Sequence, residues 1–191
     1  MAARPTSFSL DGRCAVITGA AQGIGRAIAE LFSAHGSELV LIDRDAEKLA
    51  ALTAELDTPA SGHVLDLSGP VEPDGGLFDN LARADVFVAN AGAMAAAPLA
   101  LASRTLFTDT MSTHVFSHVD LLRPALAGMS ERQYGRVILM SSIAAERSRV
   151  PTPAYSAAKG AVSALTRSIA QEFGASGIVC TAIAPGPIRT A

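Results

Sequence analysis

Charge is scarce in this chain. Asp, Glu, Lys and Arg make up 17% of its 191 residues, the formal net charge is −3, and no basic run occurs. That excludes a nucleic-acid partner, because phosphate backbones are bound by clustered Lys and Arg. Cysteine is scarcer still: Cys14 and Cys180 each sit inside an apolar run. They read as buried reduced thiols, with neither a disulfide framework nor a metal site. No stretch has the length and continuity of a membrane span. The most apolar, residues 86–102, is interrupted by Asn90, Gly92 and Pro98. The first thirteen residues hold Pro5, polar side chains and no continuous apolar core, so they do not read as a signal peptide. A soluble cytoplasmic protein without membrane or nucleic-acid partners is expected.

Apolar residues, at 49%, are abundant. At this length they fit one domain, residues 1–191, with a substantial core. Their unbroken runs suit strands buried on both faces of a sheet. Such runs occur at 14–17, 39–42, 63–65, 86–89, 135–140 and 178–184. Helical patterns lie between them: the stretch beyond Gly25 closed by Gly36, then 47–56, a short piece at 77–82, a long one at 105–129, and 153–173. Pro124 is expected to kink or end the long helix. Residues 68–76, with two prolines and three glycines, read as loop. Strand and helix alternate throughout, which predicts an α/β fold with a doubly wound parallel sheet.

Four features carry chemistry. The first strand runs into Gly19-x-x-x-Gly23-x-Gly25 and then a helix. Glycines let backbone turn tightly and approach a ligand, and a helix N-terminus offers free N–H groups to a phosphate. A purely structural turn is the alternative. Asp43, at the end of the second strand, can accept both hydroxyls of an adenosine ribose and repel a 2′-phosphate, favouring NAD over NADP. Arg44 beside it could receive that phosphate, and a helix N-cap is the other reading of Asp43. His114 and His118 lie four apart, but no Glu follows the first as in His-Glu-x-x-His and no third ligand is obvious, so no metal is expected. Last, Tyr155 and Lys159 are four apart on a predicted helix, and Ser142 ends the strand before it. A free phenol titrates near 10, roughly 4 kcal/mol from use as a base at neutrality. A cation at about 4 Å supplies comparable energy at an effective dielectric near 20. An ordinary surface pair is the alternative.

Together these segments resemble the short-chain dehydrogenase/reductase family, including its 3-oxoacyl-[acyl-carrier-protein] reductase-like members. The matching residues are Thr18-Gly19-x-x-x-Gly23-x-Gly25, Asp66, Asn90-Ala91-Gly92, Ser142, Tyr155-x-x-x-Lys159 and Pro185-Gly186-x-x-x-Thr190. The resemblance implies a Rossmann-like fold and an NAD(P)-dependent oxidoreductase that moves a hydride between the nicotinamide and an alcohol or ketone, 3-oxoacyl thioesters among them. NAD is the expected cofactor, with NADP as the alternative. It further implies that Gly19, Gly23, Ile24 and Gly25 hold the pyrophosphate, Asp43 the adenosine ribose, and Asp66 with Leu67 the adenine. Asn90 would support the cofactor, and Ile188 and Thr190 would meet the nicotinamide end. Tyr155 would be the acid/base, Ser142 would bond the substrate oxygen, and Lys159 would hold the nicotinamide ribose and lower the phenol pKa.

Two departures stand out. His114 takes the place of the family's usual asparagine in the long helix, where a proton is relayed; an imidazole can also relay one. The chain also ends at Ala191, soon after the Pro-Gly turn, where the resemblance implies a further substrate loop, helix and last strand. These departures leave open a catalytically impaired nucleotide-binding or scaffold protein. The resemblance implies a homodimer or homotetramer formed through the two long helices.

Overall fold

The computed structural model describes residues 8–72, 74–94, 96–147 and 151–189. Strands and helices alternate as β1 (Cys14–Thr18), α1 (Gly23–Ala34), β2 (Glu38–Asp43), α2 (Ala46–Glu55), β3 (Ala60–Val64), α3 (Gly75–Ala82) and β4 (Val86–Ala89). There follow α4 (Arg104–Met111), α5 (Ser117–Glu131), β5 (Gly135–Met140), α6 (Pro153–Phe173) and β6 (Ile178–Ile183). The six strands form one parallel sheet in the order β3-β2-β1-β4-β5-β6. Chain direction across the sheet reverses between β1 and β4. At such a switch point the loops leaving adjacent strands diverge and open a crevice at their C-terminal ends.

The central strands are buried on both faces, as their apolar runs require. All five residues of β1 and all four of β4 are buried. Alternate side chains feed two cores. Ala15, Ile17, Leu39, Leu41, Val86 and Val88 pack with Ala29 of α1 and with Leu49 and Leu52 of α2. Val16, Val40, Phe87, Val137 and Leu139 pack on the other face against α3, α5 and α6. Among the described residues no helix is long and apolar enough to cross a membrane.

Two elements differ from the sequence expectation. β3 starts at Ala60, because Ala60, Ser61 and Gly62 pair in register with Leu39, Val40 and Leu41. Nothing in that small, polar segment signals a strand; pairing with β2 imposes it. The long helix is divided at a π turn, Ser112–Phe116, rather than at Pro124. There the Ser117 amide reaches back to the Ser112 carbonyl, a widening that adds one residue to the turn. Ser117 Oγ is the local anchor, within hydrogen-bond range of the carbonyls of Leu67 (2.7 Å), Gly69 (3.1 Å) and Ser112 (2.9 Å). Pro124 is tolerated inside α5 because Leu121, Leu122, Ala125 and Met129 around it are buried in the core, which offsets one missing backbone bond.

Phe87 is the largest side chain with no exposure, at the centre of β4. Phe87→Ala is expected to cost about 3–5 kcal/mol of stability, read as a lowered urea midpoint with an unchanged slope.

Candidate active site

The crevice is built by the loops that leave β1, β2, β3 and β4. Thr18 ends β1, and the chain turns at Gly19 with φ +65°. A Cβ there would lie 2.8 Å from Ala91 Cα, so only glycine lets the two loops approach this closely. Gly25, on the first turn of α1, sits against the Gly19 carbonyl where any side chain would stand. Its role is to seat α1 on the turn. The N-terminus of α1 has neither a side-chain cap nor an acidic residue in its first turn, whereas Asp45, Asp74 and Ser103 cap α2, α3 and α4. An uncapped helix start leaves N–H groups to satisfy and the positive end of the helix dipole facing the crevice.

The crevice is a cavity of about 360 Å³, within the range of small-molecule sites. It brings together Gly19, Gly23, Ile24, Asp43, Asp66, Leu67 and Asn90 from the sequence expectation. Gly25, Ser142, Tyr155 and Lys159 are not among the residues that line it. Ile188 is 57% exposed outside it, and Thr190 lies outside the described residues. Gln22, Ser68, Ala93 and Thr113 also line it, and no sequence pattern marked them. Asp43 is not a helix N-cap; Asp45 is. The Asp43 carboxylate instead accepts the Ala21 amide (2.9 Å) and the Asp45 amide (3.0 Å), tying the end of β2 to the glycine turn. The amide of Ser68, at 2.9 Å, holds the Asp66 carboxyl below its ordinary range, helped by the Ser68 hydroxyl and the Arg44 charge.

Beyond β5 the two serines diverge. Ser141 Oγ is buried against α6, 3.1 Å from the Lys159 carbonyl and 2.8 Å from Ser163 Oγ. Ser142 caps the short turn Ile143–Ala145 by accepting the Ala144 amide at 3.1 Å. Lys159 is 5% exposed, and its ammonium donates to the Met140 carbonyl at 2.5 Å. Burial lowers its pKa to about 8, so it remains a cation at neutrality. Its Nζ lies 5.6 Å from the centre of the Tyr155 ring.

Tyr155 also meets His114 edge-to-face, with ring centres 5.4 Å apart at 80°. His114 Nε2 lies 2.8 Å from the Ala93 carbonyl. A carbonyl only accepts, so Nε2 carries the hydrogen and Nδ1 is a bare lone pair. That lone pair is buried with no protein partner. Burial first, then the Lys159 charge, lowers the His114 pKa to about 4. His118 is buried too; burial again, with a contribution from Lys159, lowers its pKa to about 4. Its Nε2 lies 2.8 Å from Thr18 Oγ1 and its Nδ1 3.2 Å from the His114 carbonyl. Both ring nitrogens of His118 are therefore engaged. No group of three or more potential ligands for a metal occurs among the described residues.

A uniformly parallel sheet, a glycine turn under a helix start, and an acid ending β2 together describe a dinucleotide crevice. The sequence model of the short chain dehydrogenase family matches residues 13–191. The chain belongs to that family. Gluconate 5-dehydrogenase of Gluconobacter oxydans (strain 621H) is 33% identical, over 97% of this chain and 75% of that protein. The 3-oxoacyl-[acyl-carrier-protein] reductase of Vibrio cholerae is 29% identical, over 96% of this chain and 76% of its own. Among solved structures, a putative NAD(P) dependent gluconate 5-dehydrogenase from Beutenbergia cavernae with bound NADP superposes with a TM-score of 0.87. It is 33% identical, over 96% of this chain and 76% of that one. Within the short-chain dehydrogenase pattern, Gly25 and Thr18 act through packing and hydrogen bonds, whereas Gly19 and Ile24 line the cavity itself.

The two imidazoles, held near 4, refuse protons that the unfolded chain takes up at about 6.5. Stability from this source is full above about pH 6.5 and is lost as pH falls toward 4. Urea midpoints measured from pH 7 to pH 5 should fall, and the fall should be shallower in the double variant His114→Gln/His118→Gln. Equal slopes would mean the rings are not buried in their neutral form.

Proposed function

We propose that this chain is an NAD(P)-dependent oxidoreductase acting on a hydroxyl or carbonyl group, with Tyr155 as acid/base. The observation that carries the reading is the junction of two sites. A crevice opens at the ends of β1 and β4, and Tyr155, its ring 5.6 Å from Lys159 Nζ, packs on the His114 ring that bonds Ala93 of the crevice wall. The residues present fit the cofactor: Gly19 and the uncapped start of α1 leave the room and donors a pyrophosphate needs. Asp43 and Asp66 supply acceptors at the ribose and adenine end. Bound there, the nicotinamide supplies or takes up the hydride. Tyr155 takes the proton from the alcohol oxygen as the carbon loses its hydride, or returns it in reduction. Ser142 bonds the same oxygen, and Lys159 keeps a positive charge beside the phenol, where negative charge collects. His114 borders the small cavity that also touches Lys159, which supports a place for it in moving protons away from that ammonium.

Asp43 favours NAD, since a carboxylate repels a 2′-phosphate. The NADP in the Beutenbergia cavernae structure, and Arg44 on the rim of this crevice, argue for the phosphorylated form. Asp43→Ala separates them. If Asp43 binds ribose, NAD affinity falls about tenfold, the order of one charge-assisted bond, while NADP affinity holds or rises. Unchanged NAD affinity rejects that role.

Turnover tests the chemistry. A panel of sugar acids, polyols, simple ketones and 3-oxoacyl thioesters would be incubated with NADH and NADPH, following nicotinamide absorbance. Tyr155→Phe should lower kcat by about 10²–10⁴-fold with nucleotide affinity kept. Turnover that survives the change rejects Tyr155, and binding without turnover on the whole panel favours a non-catalytic nucleotide-binding protein. A cytoplasmic homodimer or homotetramer belongs to the same reading, and light scattering would measure its mass.

A further inference from the structure

The four residues Asn90, Ala91, Gly92 and Ala93 follow β4 and all line the cavity. Each is met by a histidine or by the threonine that a histidine contacts. His114 donates Nε2–H to the Ala93 carbonyl at 2.8 Å. Its ring also fills the space a side chain at residue 92 would need, since a Cβ on Gly92 would lie 2.7 Å from Nδ1. His118 acts one bond further away. Thr18 Oγ1 accepts the amides of Asn90 (3.0 Å) and Ala91 (2.9 Å). With both lone pairs used, the hydroxyl has only its hydrogen to offer, and the ring nitrogen 2.8 Å away, His118 Nε2, receives it. His118 therefore carries its hydrogen on Nδ1, which donates to the His114 carbonyl at 3.2 Å. His114 is the opposite tautomer. The π turn between α4 and α5 contains His114 and ends one residue before His118's own turn begins.

We propose that His114 and His118 are a pair of positioning residues, in opposite tautomers, that together brace the Asn90–Ala93 loop forming one wall of the nucleotide site. The proposal rests on the nucleotide-binding reading above and assigns the histidine pair a place in it. The two rings divide the loop between them: His114 holds its far end directly, and His118 holds its near end through the Thr18 hydroxyl. The function of Thr18 in turn depends on His118, because an unreceived hydroxyl hydrogen would be free to rotate into competition with the two amides.

Nitrogen-15 spectra of the imidazoles, taken without nucleotide at pH 7, test the arrangement first. His114 should be neutral with hydrogen on Nε2, and His118 neutral with hydrogen on Nδ1. Matching tautomers, or a cationic ring, would overturn the brace. Binding of NADH and NADPH by calorimetry tests the consequence. His118→Leu and Thr18→Val should each weaken nucleotide binding about tenfold, the order of one lost buried hydrogen bond. The double variant should be no weaker than either single one, because both cut the same chain. Fully additive losses would overturn the proposal. His114→Gln and His118→Gln, which keep a polar atom near the Nε2 position, should bind more tightly than His114→Leu and His118→Leu; if the leucine variants fail to fold, these glutamine variants and the wild-type spectra decide. Folded leucine variants that bind as the wild type does overturn the brace alone. Opposite tautomers in a wild-type chain that binds neither nucleotide uphold the brace and overturn the oxidoreductase reading instead.

Discussion

The hydroxyl of Thr18 is the contact on which the rest of the site depends. It stands at the end of β1, where chain direction across the sheet reverses and the loops from β1 and β4 would otherwise diverge. By accepting two amides from the β4 loop it joins the strands at the point where the crevice opens. Asn90 returns the connection, its side-chain amide reaching the carbonyls of Thr18 (3.0 Å) and Gly19 (3.1 Å). Buried backbone groups need partners, and at this junction no strand ladder remains to provide them. One hydroxyl and one carboxamide take over that work, and they do so within a wall of the cavity. Structural satisfaction and ligand geometry are here the same set of bonds.

A second constraint is the absence of room. Gly19 and Gly25 are packed against backbone or the Asn90 amide, and Gly92 against an imidazole. The glycine turn is therefore defined by contact with the β4 loop as much as by its own dihedral angles. Burial then sets the charge states behind that wall. Burial lowers the Lys159 pKa only to about 8, which leaves it a cation at neutrality, while the two histidines are driven toward 4 and stay neutral. Among the described residues Lys159 is the buried cation near Tyr155, and burial is the cause of its shifted pKa.

Much of the fold was legible because its central strands are covered on both faces. A strand of that kind reads as a near-continuous apolar run, and β1, β2, β4 and β5 each contain one, at 14–17, 39–42, 86–89 and 137–140. The glycine turn was legible for a related reason, since close approach of backbones leaves glycine as the only residue that fits. The misjudged elements depend on partners distant in sequence. β3 is made of Ala60, Ser61 and Gly62 and is a strand only because β2 lies beside it. The π turn in the long helix sits beside Ser117, whose hydroxyl is within hydrogen-bond range of the carbonyls of Leu67 and Gly69, about fifty residues away. Pro124 is the local feature that pointed to a kink or an end, and the helix does not end there.

The amino-acid sequence by itself determined the alternation of strand and helix, the parallel sheet, the placing of glycines under the start of α1, and the Tyr155–Lys159 pair on one face of α6. Those properties are written in periodicity and in steric exclusion, both of which act between near neighbours. Only the tertiary structure decided what His114 and His118 do. Four residues apart on a helix, they carry the spacing of a metal pair. Their hydrogen bonds instead go to a threonine one hundred positions before His118 and to a carbonyl twenty-one before His114. Tertiary structure also decided that Asp43 braces the glycine turn through the Ala21 amide. The physical reason is that a polar side chain takes its role from whichever unpaired group burial brings within hydrogen-bond distance, and no local pattern records which group that will be.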